Sequence, residues 1–504
     1  MMVLESLEPK PVWEIFEKVF IATPRESKKE EKIRAKLKTW ISERAKSLGI
    51  QLTISEDAAG NLLMKRAPSR GLESAPALLL QGHMDMVCET NRKGGFDFNT
   101  SPIPVRVQDN GEWVDADGTT LGADNGIGVA LGLALLLDPK VKSGPLELLI
   151  TVDEETGLVG AFALEPKALG IKSKLLINVD SEKLGVITIG SAGGGDTTLS
   201  KNLKANKVTG KAAFYQLETT GLLGGHSGVD IHEHRANANK LAARVMSRLV
   251  KEMNVHLCEW NGGSKHNAIA RESRVKFAVE SGKAARAEQI LEQVRFKILS
   301  YYKTAANATK PLEPDISIKW SKTNPVPAFS LDESKKIITS INIIPHGPIR
   351  FSPHVEGLVE TSNNVAIIKT DGATIEVLLS TRSSVDAELE VVRAQLSDIA
   401  SLSGWDVTQN PMYPGWNPEP NSPFLKFIRE HYEVAAKAKV KIEAIHAGLE
   451  CGIIGAKIPG LQMVSIGPTA QNSHTPDERV KISDIPILYE LLRSVAEDLP
   501  NSQV

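Results

Sequence analysis

Five side chains able to bind a divalent cation stand, one apiece, just beyond apolar runs of this 504-residue chain. His83 follows Ala77-Leu78-Leu79-Leu80 within QGHMDM, and Asp124 closes the stretch Gly118-Thr119-Thr120-Leu121-Gly122-Ala123. Glu155 is the second of a Glu154-Glu155 pair behind the run Leu146 to Val152. Asp180 ends Leu175-Leu176-Ile177-Asn178-Val179, and His474 comes soon after Met463-Val464-Ser465-Ile466. In an open parallel α/β sheet, ligands bind beyond the carboxyl ends of the strands. Two histidines and three carboxylates placed there match a site for two divalent cations sharing one carboxylate, an arrangement that serves hydrolysis.

Each residue also has a plainer reading. His83-Met84-Asp85 puts two polar side chains on one side of a strand end, because side chains alternate there. Asp85 can then hold the ring N–H that His83 does not use for a metal; the alternative is a solvated His-x-Asp pair. Asp124 enters a helix from a glycine-rich turn, where aspartate is a good N-cap, yet a carboxylate bridging cations about 3.5–4 Å apart is also what such a site needs. Glu154 and Glu155, as neighbours, point in different directions. One can ligate while the other faces a reacting water as general base and later as acid. An acidic surface turn is the bland reading, weakened by the apolar run that leads into the pair. A lone loop histidine such as His474 is more often structural. Five weak signals at equivalent strand ends are together strong.

Two other motifs are set aside. His232-Glu233-His234 lacks the i, i+4 histidines of a zincin helix, and Ser191-Ala192-Gly193-Gly194-Gly195-Asp196 lacks the features of a phosphate loop. The glycine run reads as a domain hinge.

The elements that must position these residues follow from periodicity. Residues 12–50 read as two helices, Ile33, Leu37, Trp40, Ile41, Ala45 and Leu48 falling near a 3.6 period. From there to about 188, strands alternate with helices, one of which starts at Asp124-Asn125-Gly126 and runs to Leu137; this argues for a βαβ sheet. Beyond Gly190 come short strands (275–279, 316–320, 373–379) and amphipathic helices (234–251, 284–301, 331–342), then a helix at 384–402. After Gly404 the βα alternation resumes with helix 423–438, strand 461–466 and helix 482–498. The expected fold is α/β: a discontinuous catalytic domain with a mixed or parallel sheet, residues 1–189 and 402–504, holding an inserted α+β lid domain at 190–401. His474 completes the ligand set only if the C-terminal segment folds back beside the first.

Apolar residues at 41% and charged residues at 24% describe an ordinary soluble globular chain. A net charge of −2 gives no basis for nucleic acid or an anionic membrane as partner. The three cysteines, Cys88, Cys258 and Cys451, make neither a disulfide framework nor a thiolate metal site, and fit a reducing compartment. No signal-peptide h-region or membrane-length apolar stretch is present, so a cytoplasmic location is expected. In that setting the sequon Asn307-Ala308-Thr309 carries little weight.

QGHMDMV, GTTLGADNG, TVDEETG, NVDSE and GPTAQNSHTPDER resemble the metal-binding blocks of the M20 metallopeptidases, most of all in order and spacing those of the aminoacyl-histidine (Xaa-His) dipeptidases, also called peptidase D. The resemblance covers essentially the whole chain. It implies that His83 and Asp180 hold one zinc and Glu155 and His474 the other, with Asp124 bridging, Glu154 as general base and Asp85 orienting His83. It implies a lid in which His226, in Gly224-Gly225-His226-Ser227-Gly228, polarises the scissile carbonyl, while Asn267 and Arg382 contact the substrate's C-terminal end. Arginine suits a carboxylate through its two-pronged fork. Glu450, in His446-Ala447-Gly448-Leu449-Glu450-Cys451-Gly452, would meet a substrate amino group or imidazole; for Arg382 and Glu450 a structural ion pair is the alternative.

The expected function is thus a cytosolic dinuclear-metal dipeptidase cleaving unblocked dipeptides, of Xaa-His type, in which a metal-activated water attacks and Glu154 shuttles its proton. The alternatives are an amidohydrolase of the same family acting on N-acyl amino acids, and a non-catalytic binding protein, which would have lost a ligand or the base. Zinc is the expected metal, with manganese and cobalt also suited to these ligands. A small peptide is the expected partner, with a homodimer as the oligomeric expectation.

Overall fold

Leu78 and Leu80 enter one apolar core and Leu79 another, and the same split separates Leu148 and Ile150 from Leu149. That period of two, inside runs with no exposed residue, marks strands covered on both faces, as parallel strands are. The computed structural model describes residues 2–303 and 311–504; the sequon at Asn307 lies outside them. The chain divides into two compact units, Met1–Gly190 with Trp416–Ala444 and Leu449–Val504, and Ser191–Gly415 with Ile445–Gly448.

In the first unit the strands are β1 (Leu52–Glu56), β2 (Leu62–Arg66), β3 (Leu78–His83), β4 (Val105–Val107), β5 (Trp113–Ala116), β6 (Leu146–Thr151), β7 (Leu175–Asn178) and β8 (Val186–Ser191). Two later segments, Lys441–Ile445 and Gln462–Ser465, join them. The main sheet runs β1-β2-β6-β3-β7, then Gln462–Ser465, β8 and Lys441–Ile445. β6, β3, β7 and Gln462–Ser465 are mutually parallel, with His83 opposite Thr151 and Asn178 opposite both Gln81 and Ser465. β1, β2 and β8 pair antiparallel, so the sheet is mixed. The register brings the carboxyl ends of four parallel strands to one edge.

Helices α1 (Lys10–Ile15), α2 (Glu31–Ser47) and α3 (Ala123–Leu136) cover this sheet with later helices, including Asp484–Asp498. α3 is buried all round from Asn125 to Leu136. It can lie that close because Gly128 faces the Val179 carbonyl, where a Cβ would come within 2.2 Å of the oxygen. A smaller sheet joins β4 and β5 to Ala470–Gln471 and Arg479–Lys481, the segment around His474.

The second unit is a nine-stranded antiparallel sheet whose core it shares with helices Ala238–Glu252, Ala284–Tyr302, Leu331–Ile343 and Asp386–Ser403. The helix expected from residue 234 begins at Ala238, because the Asn237 side chain caps it by accepting the Lys240 N–H. The glycine run read as a domain hinge follows directly on the division between the two units and opens a strand, Gly193–Asn202, paired with Thr374–Ser383. Its glycines answer a packing demand: a Cβ on Gly193 would meet the Tyr413 carbonyl at 2.4 Å. Asp406–Gln409 pairs on the other side of this strand, which keeps the chain in the second unit as far as Gly415. No helix among the described residues is long and apolar enough to cross a membrane.

Candidate metal centre

His83 is the last residue of β3; Glu154 and Glu155 follow β6, and Asp180 follows β7. Asp124 sits where a turn, with Gly122 at φ 71°, delivers the chain into α3, and its peptide to Asn125 is cis. His474 hangs in the loop after Gln462–Ser465 with φ 65°, a left-handed conformation rare for a residue with a side chain.

These pieces converge on Asp124. Its Oδ1 lies 3.0 Å from His83 Nε2 and its Oδ2 lies 3.1 Å from His474 Nε2. His83 Nε2 is also 3.4 Å from Asp180 Oδ1, and His474 Nε2 is 2.9 Å from Glu155 Oε2. Two triads result, His83–Asp124–Asp180 and Asp124–Glu155–His474, each with ligand atoms within 4.8 Å of one another. Glu155 Oε1 is buried and has no hydrogen-bond partner, and Asp180 Oδ1, equally buried, has only the long contact to His83. Buried, unpaired carboxylate oxygens are costly unless a cation meets them. The donor set therefore fits divalent cations, with Asp124 presenting one oxygen to each triad.

The electrostatics reflect this crowding. Burial pushes the Asp180 carboxyl up to about 8 despite His83 beside it. Burial also raises Glu154 well above the usual carboxylate range, with Asp180 and Glu450 adding to the shift against His83. His474 is held up at about 11 by hydrogen bonds to Asp124 and Glu155. For His83, burial disfavours the charged ring, but Asp180, Asp124 and Asp85 outweigh it and raise its pKa.

Asp85 stands behind His83, its Oδ1 3.2 Å from Nδ1, off the line of a well-formed hydrogen bond. Its carboxylate accepts the Glu154 and Glu155 backbone N–H groups at 3.0 and 3.2 Å, which ties the backbone of the acidic pair to the end of β3. Glu450, fully buried at the start of helix Glu450–Lys457, accepts from Gln81 Nε2 and Thr151 Oγ1 while its Oε1 has no partner. Burial pushes it up to about 7.

His226, Asn267 and Arg382 belong to the second unit. His226 Nδ1 accepts the backbone N–H groups of Gly228 and Val229, both at 3.2 Å, which leaves the proton on Nε2 as a donor. Burial and the Arg382 charge lower its pKa, favouring the neutral ring. Asn267 lies alongside, its carbonyl accepting the Ser227 N–H. Arg382 is buried, donates from Nη1 to the Tyr413 hydroxyl at 3.3 Å and keeps an unpartnered Nε.

Sequence reasoning passed over several groups. Arg25 and Glu478 hold the backbone around Asp124 and His83, and Ser27 donates to Asp85. His446, buried with Nε2 2.7 Å from Ser362 Oγ, lies near Arg382 and His226. Their partners are mostly main-chain atoms or residues distant in sequence, which leave no local pattern. Glu478, inside the HTPDER block, was the one with a visible signal.

A mixed α/β sheet carrying two histidines and a cluster of carboxylates at its strand ends defines a candidate metal-dependent site. The chain belongs to Peptidase family M20/M25/M40, whose profile matches residues 79–498. It is 36% identical over 498 residues to the cytosol non-specific dipeptidase of Escherichia coli (strain K12), covering 99% of each chain. It resembles the crystal structure of aminoacylhistidine dipeptidase from Vibrio alginolyticus with a TM-score of 0.88 and 36% identity, covering 98% of this chain and 97% of that one. The aminopeptidase PepT from Bacillus cereus shares the fold, with a TM-score of 0.55 at 16% identity over 98% and 99% of the two chains.

Proposed function

We propose that the protein is a dinuclear-metal dipeptidase cleaving unblocked dipeptides, Xaa-His among them, in the cytoplasm. The observation that carries this reading is Asp124, whose two oxygens face two different histidines in two different triads. The full-length likeness to two dipeptidases supports the substrate class.

His83 and Asp180 would hold one cation, Glu155 and His474 the other, with Asp124 shared. When bound, such a pair supplies Lewis acidity at a carbonyl and lowers the pKa of a water to about 7. Zinc suits these ligands, as do manganese and cobalt. Glu154, its backbone fixed by Asp85 and its pKa raised by burial, takes a proton from the attacking water and returns it to the leaving amine. Glu450 offers a buried, unpaired Oε1 to the substrate ammonium. In the second unit, the free Arg382 donors suit a terminal carboxylate, with Asn267 assisting. The Nε2–H of neutral His226 suits the oxyanion. A homodimer is the proposed assembly; sedimentation would show twice the 54.6 kDa chain mass.

The test is hydrolysis of β-alanyl-His, Gly-His, Leu-Leu and N-acetyl-His by zinc- or manganese-loaded protein, with and without chelator. Chelator-sensitive cleavage of the free-amine dipeptides is expected. Cleavage of His dipeptides alone would mark an imidazole pocket, and cleavage of Leu-Leu as well a broad one. Preference for N-acetyl-His would move the protein to the amidohydrolases, and no cleavage with metal bound would remove the function.

A further inference from the structure

The turn Leu121-Gly122-Ala123-Asp124 is gripped from two sides by buried charges. Glu478, 2% exposed, accepts four consecutive backbone N–H groups from it. Its Oε2 takes those of Leu121 and Gly122 at 2.8 and 2.9 Å, and its Oε1 those of Ala123 and Asp124 at 2.8 and 3.3 Å. Arg25, 1% exposed, comes from the other side. One prong of its guanidinium donates to the Gly122 carbonyl, and the other donates to the carbonyls of Met84 and Asp85 at 3.0 and 2.8 Å. The Arg25 carbonyl in turn accepts the Met86 N–H at 3.1 Å.

We infer that Arg25 and Glu478 are positioning residues that act as one brace, fixing the distance between the two cation positions and so making their occupancy rise and fall together. The brace ties the Asp124 turn to the two segments that carry the histidines. Arg25 ties the turn to the strand end that carries His83, and Glu478 ties it to the loop that carries His474, four residues upstream. Because Asp124 belongs to both triads, a shift of this turn reaches both. The two charges are well matched to their partners, since an arginine fork meets several carbonyls at once and a carboxylate makes strong, charge-assisted bonds to N–H groups. Neither side chain reaches a ligand atom by hydrogen bond, so both work through the backbone.

This inference rests on the two-cation reading above, and its test uses the metal-free protein and zinc or manganese alone. Affinity and stoichiometry are read by competition with a chromophoric chelator for wild type, E478Q, R25K and L492A. E478Q keeps the shape but turns an amide donor toward backbone donors; R25K keeps the charge but loses the fork. L492A removes a buried side chain from helix Asp484–Asp498 in the same unit and controls for lost stability. The expected result is two cations on wild type and L492A with similar affinity, and an affinity about 10- to 100-fold weaker at both positions in E478Q and R25K, as for other residues that orient ligands. At saturating cation, E478Q should keep its KM for a dipeptide and lose kcat. Wild-type affinity in E478Q and R25K, weakening at one position only, or equal weakening in L492A would overturn the brace. If E478Q does not fold, R25K decides by the same criteria. A wild type that binds no cation would sink the two-cation reading itself, a result separate from failure of the brace alone.

Discussion

In the proposed reaction Asp124 and Glu154 would divide two roles that neighbouring carboxylates could otherwise share. Asp124 is held ionised by hydrogen bonds from two histidines against the cost of burial, which suits a ligand. Glu154 is pushed by burial toward holding a proton, which suits a group that must take one up and give it back. E154Q is therefore expected to bind two cations as wild type does while kcat falls by about 10²- to 10⁴-fold, read by metal analysis beside steady-state kinetics. Loss of the cations together with activity would instead make Glu154 a ligand. The convergence of His83, Asp124, Glu155, Asp180 and His474 was legible in the sequence, since each stands beyond an apolar run and strand ends share an edge. Arg25 was not, because a residue that bonds only to backbone can sit on any segment and leaves no spacing to read; Glu478 was marked only by its place in the HTPDER block.

Among the elements, α3 packs against the end of β7 with little tolerance. Gly128 lies against the Val179 carbonyl, which already accepts from Asn125 Nδ2 at 2.8 Å, and Val179 immediately precedes Asp180. G128A should destabilise the protein by about 1–3 kcal/mol, seen as a lower urea midpoint, because the added methyl must displace that carbonyl. An unchanged midpoint would mean the helix can slide. His446 makes a second test in the other unit. Burial, with the charges of Arg382, His232 and His226, pushes its pKa down to about 3, whereas an unfolded chain titrates near 6.5. Below pH 6.5 the unfolded state takes up a proton that the folded state refuses, so stability falls as pH drops toward 3. The slope has a ceiling of about 1.4 kcal/mol per pH unit. H446Q should flatten the urea midpoint between pH 6.5 and 4, and an unaltered slope would place the proton elsewhere. The glycine run 193–195 shows why element boundaries were harder to read than ligands. Glycine signals freedom in a sequence, but here it answers the Tyr413 backbone, a partner more than 200 residues away.

For the molecule as a whole, cations held by the triads would link metal to stability through one unit. A ligand at 100 times its Kd stabilises by about 2.7 kcal/mol, so a chelator should lower the calorimetric transition of the unit that holds the triads, and added zinc or manganese should restore it. The transition of the second unit should not move; a shift of both by the same amount would show that they melt as one. At this scale the first break, near Gly190, was legible from the end of βα alternation, but the return expected at 402 comes after Gly415, because Asp406–Gln409 pairs into the second unit's sheet. What the sequence withheld was strand order, since parallel neighbours carry no local mark of who pairs with whom. That order has a consequence in time. Gln462–Ser465 lies between β7 and β8, which are themselves near neighbours in the chain. A ribosome adding roughly 5–20 residues per second finishes β8 and then needs roughly 15–55 s before the strand that fills the gap exists. Through that interval β7 and β8 each present a bare strand edge, the feature by which unrelated chains add to one another. The half-built sheet is thus a client for whatever shields nascent chains, and its exposure is set by the length of the inserted segment rather than by the folding rate of the sheet.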